Sequence, residues 1–314
     1  DVKLTKEQSD IVDFIDVLLS DNSKYKAIGI KAFAGCGKSF VLKYIATKFK
    51  NKKILGLAFN NSIVKENAHS FPKRNSKWLT VHTLAKEYLI KNGVEFDFKN
   101  STKNFKDIEA LKILKLNEDN ITLGKVINEV FKVYCQSDLK ELSIINIKKG
   151  IEEQINEYLL NTDDKYLELG CKYSLELWDK FVNLELPPTF DFYLKYFEVN
   201  EFAKNIKEFD LVQLDEAQDS NAVTMSIITQ IPAKYIYVGD EHQSIYAFRG
   251  PKNALNYTDK LFYLSTTFRY IPKIAQFANT ILKSYKNEKV SITSLANEKT
   301  SKKDNKTAYL SRNN

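Results

Sequence analysis

The sequence is poor in the residues that build disulfide scaffolds, zinc cages and membrane spans. Its three cysteines, Cys36, Cys135 and Cys171, are an odd number scattered without paired spacing, and no signal peptide opens the chain, which argues against a disulfide framework or zinc site. A reducing, intracellular setting follows, cytoplasmic or, in a eukaryote, nuclear. No apolar run approaches the roughly 18 residues of a membrane span, so no membrane partner is expected. Repeats and low-complexity tracts are missing too. Disorder is excluded by what is present, since 43% of the residues are apolar and 12% aromatic.

Lys and Arg outnumber Asp and Glu by 47 to 40, a formal charge of +7. This suits a polyanionic partner but is weak support for one. A length of 314 residues fits two domains, or one domain carrying a large insertion. The chain starts at Asp1 rather than Met and stops soon after the strand-like Ala308-Tyr309-Leu310 run, which leaves room for cuts at both ends.

From Tyr25 to about Ser265, short β-branched or apolar runs alternate with helical stretches, the pattern of an α/β fold whose parallel sheet is covered by helices. The strands are expected at Ala27–Ala32, Lys53–Phe59, Leu79–His82, Leu211–Leu214, Tyr235–Val238 and Leu261–Leu264. Between Leu84 and Phe209 the pattern changes to lysine- and glutamate-rich helical segments, such as Ile144 to Leu160, broken at Pro187-Pro188. That stretch reads as a helical insertion. The polar run Lys299 to Lys306 reads as a solvated loop.

Ala32-Phe33-Ala34-Gly35-Cys36-Gly37-Lys38-Ser39 follows an expected strand and opens an expected helix, the setting of a phosphate loop (P-loop). The glycines of such a loop let the backbone fold tightly, so that its amides and the helix N-terminus point at phosphate oxygens. Lys38 reaches the β and γ oxygens of ATP, and the Ser39 hydroxyl ligates Mg²⁺. Ala32 stands where the generic pattern has its first glycine. Cys36 has two readings: a residue that merely fills a variable position of the loop, or, beside a helix N-terminus that favours the thiolate, the most readily alkylated of the three thiols.

Leu211-Val212-Gln213-Leu214-Asp215-Glu216 reads as a buried strand ending in two acids at its carboxyl edge, where α/β sheets bind ligands. Asp215 is placed to hold the Mg²⁺ shell. Glu216, one residue on, is placed to orient and deprotonate the water that attacks the γ-phosphate.

Asp215-Glu216-Ala217-Gln218-Asp219, followed by Val238-Gly239-Asp240-Glu241-His242-Gln243-Ser244-Ile245-Tyr246-Ala247-Phe248-Arg249-Gly250, resembles the superfamily 1A DNA helicases of the UvrD and Rep type. The alanine-first phosphate loop and Leu57-Ala58-Phe59-Asn60 look closest to the F-box DNA helicase branch. The resemblance spans Gln8 to Arg269 and is weakest in the helical insertion. It implies a RecA-like P-loop NTPase: residues 1–86 and 201–265 form the two parts of a first motor domain, 87–200 the insertion, and 266–314 the beginning of a second RecA-like domain.

The resemblance also implies roles. Gln8 is expected to read the adenine edge, and Phe268 to stack on the base. Ala34, Gly35, Cys36 and Gly37 wrap the phosphates with Lys38 and Ser39. Gln243 resembles the γ-phosphate sensor, and Arg269, in Thr267-Phe268-Arg269-Tyr270, the arginine that meets transition-state charge.

On the DNA side, Phe59 and Asn60 fall in the family's first DNA-contacting loop and His82 and Thr83 in its second. Tyr246, Phe248 and Arg249 fall in the run that joins γ-phosphate sensing to a base-stacking aromatic. Pro251 stands where relatives commonly carry alanine.

The implied activity is DNA-stimulated, Mg²⁺-dependent ATP hydrolysis driving 3′–5′ movement along single-stranded DNA, or DNA with a single-stranded tail. The 1B motors, which move the other way, are disfavoured by Gln218-Asp219 and Gln243-Ser244-Ile245-Tyr246. A further glycine-containing motif and a late arginine motif of the family are not found after Arg269. A nucleotide-gated DNA-binding or assembly module, with partner proteins of a repair or defence complex, therefore stays open beside the autonomous motor.

Overall fold

A computed structural model describes residues 3–103, 105–243 and 254–296. Among them, six parallel strands form one sheet: β1 (Ala27–Ala32), β2 (Ile54–Ala58), β3 (Ser76–Thr80), β4 (Leu211–Leu214), β5 (Lys234–Gly239) and β6 (Lys260–Leu264), in the order β3-β2-β4-β5-β1-β6. All residues of β2 and β4 are buried, as expected of inner parallel strands covered on both faces. This order sets the carboxyl ends of β1, β5 and β4 side by side, and the α/β architecture read from the sequence is the one observed.

One face of the sheet packs on α1 (Lys6–Leu18) and α2 (Lys38–Lys48). Thr5 and Gln8 close a reciprocal cap at the start of α1, and Ile11, Ile15 and Leu18 bury one face of that helix. The other face packs on α4 (Val81–Lys91) and α11 (Ala222–Gln230) and is continuous with a second cluster built by α5 (Asp107–Ile113), α6 (Ile121–Gln136), α7 (Ile144–Gln154), α8 (Glu157–Leu160), α9 (Asp164–Val182) and α10 (Phe190–Val199). These helices occupy the stretch expected to be an insertion, and α4 runs through the boundary expected at residue 86. The helix α3 (Asn61–Ser70) lies between β2 and β3 in the chain. After β6 come the two-residue strand β7 (Thr266–Thr267), α12 (Pro272–Lys286) and β8 (Thr293–Ser294), with β7 and β8 paired in parallel as a separate small sheet.

Two local expectations are corrected. The strand expected at Leu79–His82 is β3, Ser76–Thr80, because the Thr80 hydroxyl caps the Thr83 N–H at 3.1 Å and starts α4 at Val81. Its opening residues, Ser76 and Lys77, are polar because β3 is an edge strand. The single helix expected from Ile144 to Leu160 is split: Ile155 takes a left-handed φ of 52°, and Asn156 caps α8 through Leu159. Side-chain periodicity runs across this break without registering it. The strand expected at Thr307 to Ser311 lies outside the described residues.

Candidate nucleotide site

The phosphate loop leaves β1 and enters α2 through two left-handed glycines, Gly35 at φ 74° and Gly37 at φ 85°. At Gly35 a Cβ would sit 2.5 Å from Arg269 Cβ and 2.8 Å from Thr267 Oγ1, so both conformation and space demand glycine there. Gly37 is the N-cap of α2, so no side chain takes up the first amides of that helix. They remain for a ligand, with Lys38 and Ser39 as the first two helical residues.

Lys38 Nζ lies 2.6 Å from Glu216 Oε2. Glu216 Oε2 also accepts from Gln218 Nε2 at 2.9 Å, and Gln218 Oε1 accepts from the Asp240 N–H at 3.0 Å. Asp240 in turn takes Gln243 Nε2 on Oδ2 and the His242 N–H on Oδ1. A continuous polar chain thus links the ends of β1, β4 and β5. Within it, Glu216 holds a left-handed φ of 51°, strain for a residue with a Cβ, which turns the backbone sharply after β4.

Asp215 is buried and accepts from the Glu216 N–H at 3.0 Å. Burial, reinforced by the Glu216 charge, holds its carboxyl above the ordinary range. The same two causes push Asp219 up to about 6. The edge therefore carries more negative charge than Lys38 alone offsets.

This donor set fits a nucleoside triphosphate with its divalent cation. The described residues hold no cluster of three or more His, Cys, Asp or Glu arranged for a metal, and Mg²⁺ does not need one: one carboxylate, one hydroxyl and substrate phosphates are its usual shell. Asp215, at the end of β4, and Ser39, in the first turn of α2, are the carboxylate and hydroxyl that would hold it.

Gln8 is buried, its Oε1 accepting from the Thr5 N–H at 3.0 Å and its Nε2 lying 3.2 Å from where a Gly37 Cβ would stand. Its amide end borders the loop. Phe268 is 48% exposed. The segment bearing Phe268 and Arg269 is tied to the loop, because the Phe268 N–H donates to Gly35 O at 3.0 Å and Thr267 Oγ1 to Ala34 O at 3.2 Å. Glu7 holds the same segment from α1, accepting from the Ser265 N–H at 2.9 Å and its hydroxyl at 2.5 Å. The roles of Gln218, Glu7 and Thr267 as braces were not assigned from sequence, although Glu7 and Thr267 each adjoin an assigned residue and Gln218 lies two residues beyond Glu216.

Of the two readings of Cys36, its surroundings oppose the reactive thiol. It is 1% exposed. Burial, with Glu7 and Asp240 adding to it, pushes the thiol up to about 12, so desolvation outweighs the helix N-terminus.

The expected DNA-side residues are only partly gathered. Phe59 and His82 line a cavity of about 570 Å³ between the carboxyl edge of the sheet and the helices of the insertion, with Lys103 and Lys132 on its wall. The His82 ring also packs on Tyr193, centroids 5.9 Å apart. Asn60 is the N-cap of α3, accepting from the Ile63 N–H at 2.9 Å, and the Thr83 hydroxyl is 2.9 Å from Thr80 Oγ1 in the cap of α4. Both have helix-starting work of their own. Tyr246, Phe248 and Arg249 lie outside the described residues.

Parallel sheet, phosphate loop and acid-ended neighbouring strand together define a RecA-like P-loop fold. A model of the UvrD/REP helicase N-terminal domain family matches residues 21–262, and the chain belongs to that family. It is 29% identical over 297 residues to F-box DNA helicase 1 of Gallus gallus, covering 90% of this chain and 28% of that protein. It is 28% identical over 313 residues to F-box DNA helicase protein 1 of Schizosaccharomyces pombe, covering 94% of this chain and 34% of that protein. The chain therefore spans about a third of the length of these relatives. Among the described residues, no helix is long and apolar enough to cross a membrane.

Proposed function

We propose that this chain is the nucleotide-binding part of an ATP-dependent single-stranded DNA translocase or helicase, moving 3′–5′ and hydrolysing ATP with Mg²⁺ under DNA stimulation. The observation that carries the reading is the polar chain from Lys38 through Glu216, Gln218 and Asp240 to Gln243 across three neighbouring strand ends. In this reading α5–α10 are an insertion into the first motor domain, and the residues after β6 begin the second.

Bound Mg²⁺ supplies charge neutralisation between the phosphates, and the protein supplies placement. Lys38 exchanges its Glu216 partner for phosphate oxygens. Glu216, released from that ion pair, keeps Gln218 as its orienting donor and can accept a proton from water. Its neighbour Asp215, whose Oδ1 accepts from the Glu216 N–H, would hold the Mg²⁺ together with Ser39. Gln243 shares Asp240 with His242, so a contact made by the Gln243 amide bears on the whole strand end. Arg269, fixed over Gly35 by the braces at Thr267 and Phe268, contributes a planar cation at the loop.

Single-stranded DNA is read as lying along the cavity that holds Phe59 and His82, with Phe59, 38% exposed, as a stacking surface and Lys103 and Lys132 facing phosphates. The test is phosphate release with and without a single-stranded oligonucleotide. Release that rises with DNA and disappears in Lys38→Ala supports the reading. Nucleotide binding without turnover supports instead a nucleotide-gated DNA-binding or assembly module.

A further inference from the structure

Lys31, the penultimate residue of β1, has its Nζ 2.9 Å from Glu288 Oε2 and 3.3 Å from Glu241 Oε2. The same Glu288 oxygen lies 2.8 Å from His242 Nε2. Glu288 Oε1 accepts from the N–H groups of Lys289 and Val290, at 2.9 and 3.0 Å, so both oxygens are engaged while the side chain is 6% exposed. Burial opposes its charge, yet Lys31 and His242 hold the carboxyl down at about 2.

Local backbone brings this carboxylate to the site. Helix α12 ends at Lys286, and Asn287 takes a left-handed φ of 51°, which asparagine tolerates better than most residues. The turn points Glu288 back toward the phosphate loop. There the His242 ring lies parallel to Phe33 of that loop, 1° between planes and 6.0 Å between centroids. The His242 N–H donates to Asp240, the residue that also holds Gln243.

We infer that Glu288 is a positioning residue that couples Gln243, through Asp240, His242 and Lys31, to the segment following α12, so that this segment responds to the nucleotide held at the site. The inference rests on the nucleotide reading above. A displacement of the Asp240–Gln243 turn must either carry Glu288 with it or strip a nearly buried carboxylate of its His242 hydrogen bond, and the second costs more than a surface contact would. The backbone after α12 follows because Val290 hangs on the other oxygen.

The experiment is hydrogen–deuterium exchange of the peptide covering residues 286–295, in Mg²⁺ with ADP or a non-hydrolysable ATP analogue, on the parent, Glu288→Gln and Glu288→Ala. In the parent, exchange at Val290 should differ by about fivefold or more between the two nucleotides, the low end of ordinary coupling. Glu288→Gln, which keeps an acceptor, should retain part of that difference, and Glu288→Ala should lose it. In steady-state turnover, Glu288→Ala should lower kcat while leaving KM for ATP within about twofold, since no nucleotide contact is removed. If Glu288→Ala fails to fold, His242→Phe breaks the same link and keeps the ring on Phe33. Exchange identical with both nucleotides in a parent that hydrolyses ATP overturns the inference and spares the hydrolase reading. A Glu288→Ala protein that only melts earlier, with its nucleotide response intact, overturns it as well. A parent that binds neither nucleotide overturns both.

Discussion

The carboxyl edge of the sheet and the helical insertion treat buried charge in opposite ways. On α10, Lys195 and Glu198 are both completely buried, and their groups are satisfied by protein partners: Lys195 Nζ donates to Glu198 Oε2 at 2.8 Å and to Ser137 O and Leu139 O at 3.1 and 2.5 Å, while Glu198 Oε1 accepts from Ser226 Oγ of α11 at 2.6 Å and from Lys140. Around them rings pack edge to face, such as Trp178 on Phe192 at 4.8 Å and Phe96 on Tyr196 at 5.0 Å. At the sheet edge, Glu216 is strained, Asp219 Oδ1 is buried without a hydrogen-bond partner among the described residues, and Asp215 and Asp219 are held above their ordinary range. Closed charge networks build a stable unit, whereas groups kept in costly states mark the place where a ligand completes the structure.

That contrast can be broken by mutation. Glu198→Ala should leave Lys195 buried and uncompensated and cost roughly 3–5 kcal/mol, read by urea denaturation, while Lys195→Met with Glu198→Leu should recover most of it. A single-mutant cost below about 1 kcal/mol would mean that water reaches the pair and the contrast is false. Gly56→Ala tests the body of the sheet rather than its edge: a Cβ at Gly56 would lie 2.2 Å from the Trp78 ring across the β2–β3 pair. We expect a loss of about 1–3 kcal/mol with nucleotide affinity unchanged, since overpacking is felt locally; a fall in affinity at unchanged stability would contradict this.

The smallest effect is expected at Asp219. Its folded pKa, about 6, lies above the 3.8 of an ordinary aspartate, so between these values the folded state binds the proton more tightly than the unfolded state. Stability contributed by the protonated carboxyl is therefore lost as pH rises through that window. Asp219→Asn should raise Tm by a few degrees above pH 7 and lose this advantage near pH 4, measured by thermal melting across pH. Superposable pH profiles for parent and variant would show that Asp219 titrates normally.

What could be read without coordinates followed from how local each signal is. β1 and β4 have their expected bounds because each is a short apolar run flanked by its own punctuation, the phosphate loop after one and the acid pair after the other. β3 was displaced because its opening residues are polar at the sheet edge and Thr80, the residue that ends it, belongs to the cap of α4. The two readings of Cys36 are not separated by sequence, because proximity to a helix N-terminus is visible there and burial among core side chains is not. Glu288 left no signal at all. Its partners are 46 residues back at His242 and on strand β1, and only the turn at Asn287 brings them together.

In the proposed mechanism Glu216 activates water at a site where Lys38 binds phosphate. Glu216→Gln separates the two, since the amide is isosteric, retains an oxygen for Lys38 and Gln218, and cannot act as a base at neutral pH. Measured together by fluorescent-nucleotide binding and DNA-stimulated phosphate release, the variant should bind ATP about as tightly as the parent and turn over roughly a hundredfold or more slowly. Near-parental phosphate release by Glu216→Gln would contradict the account.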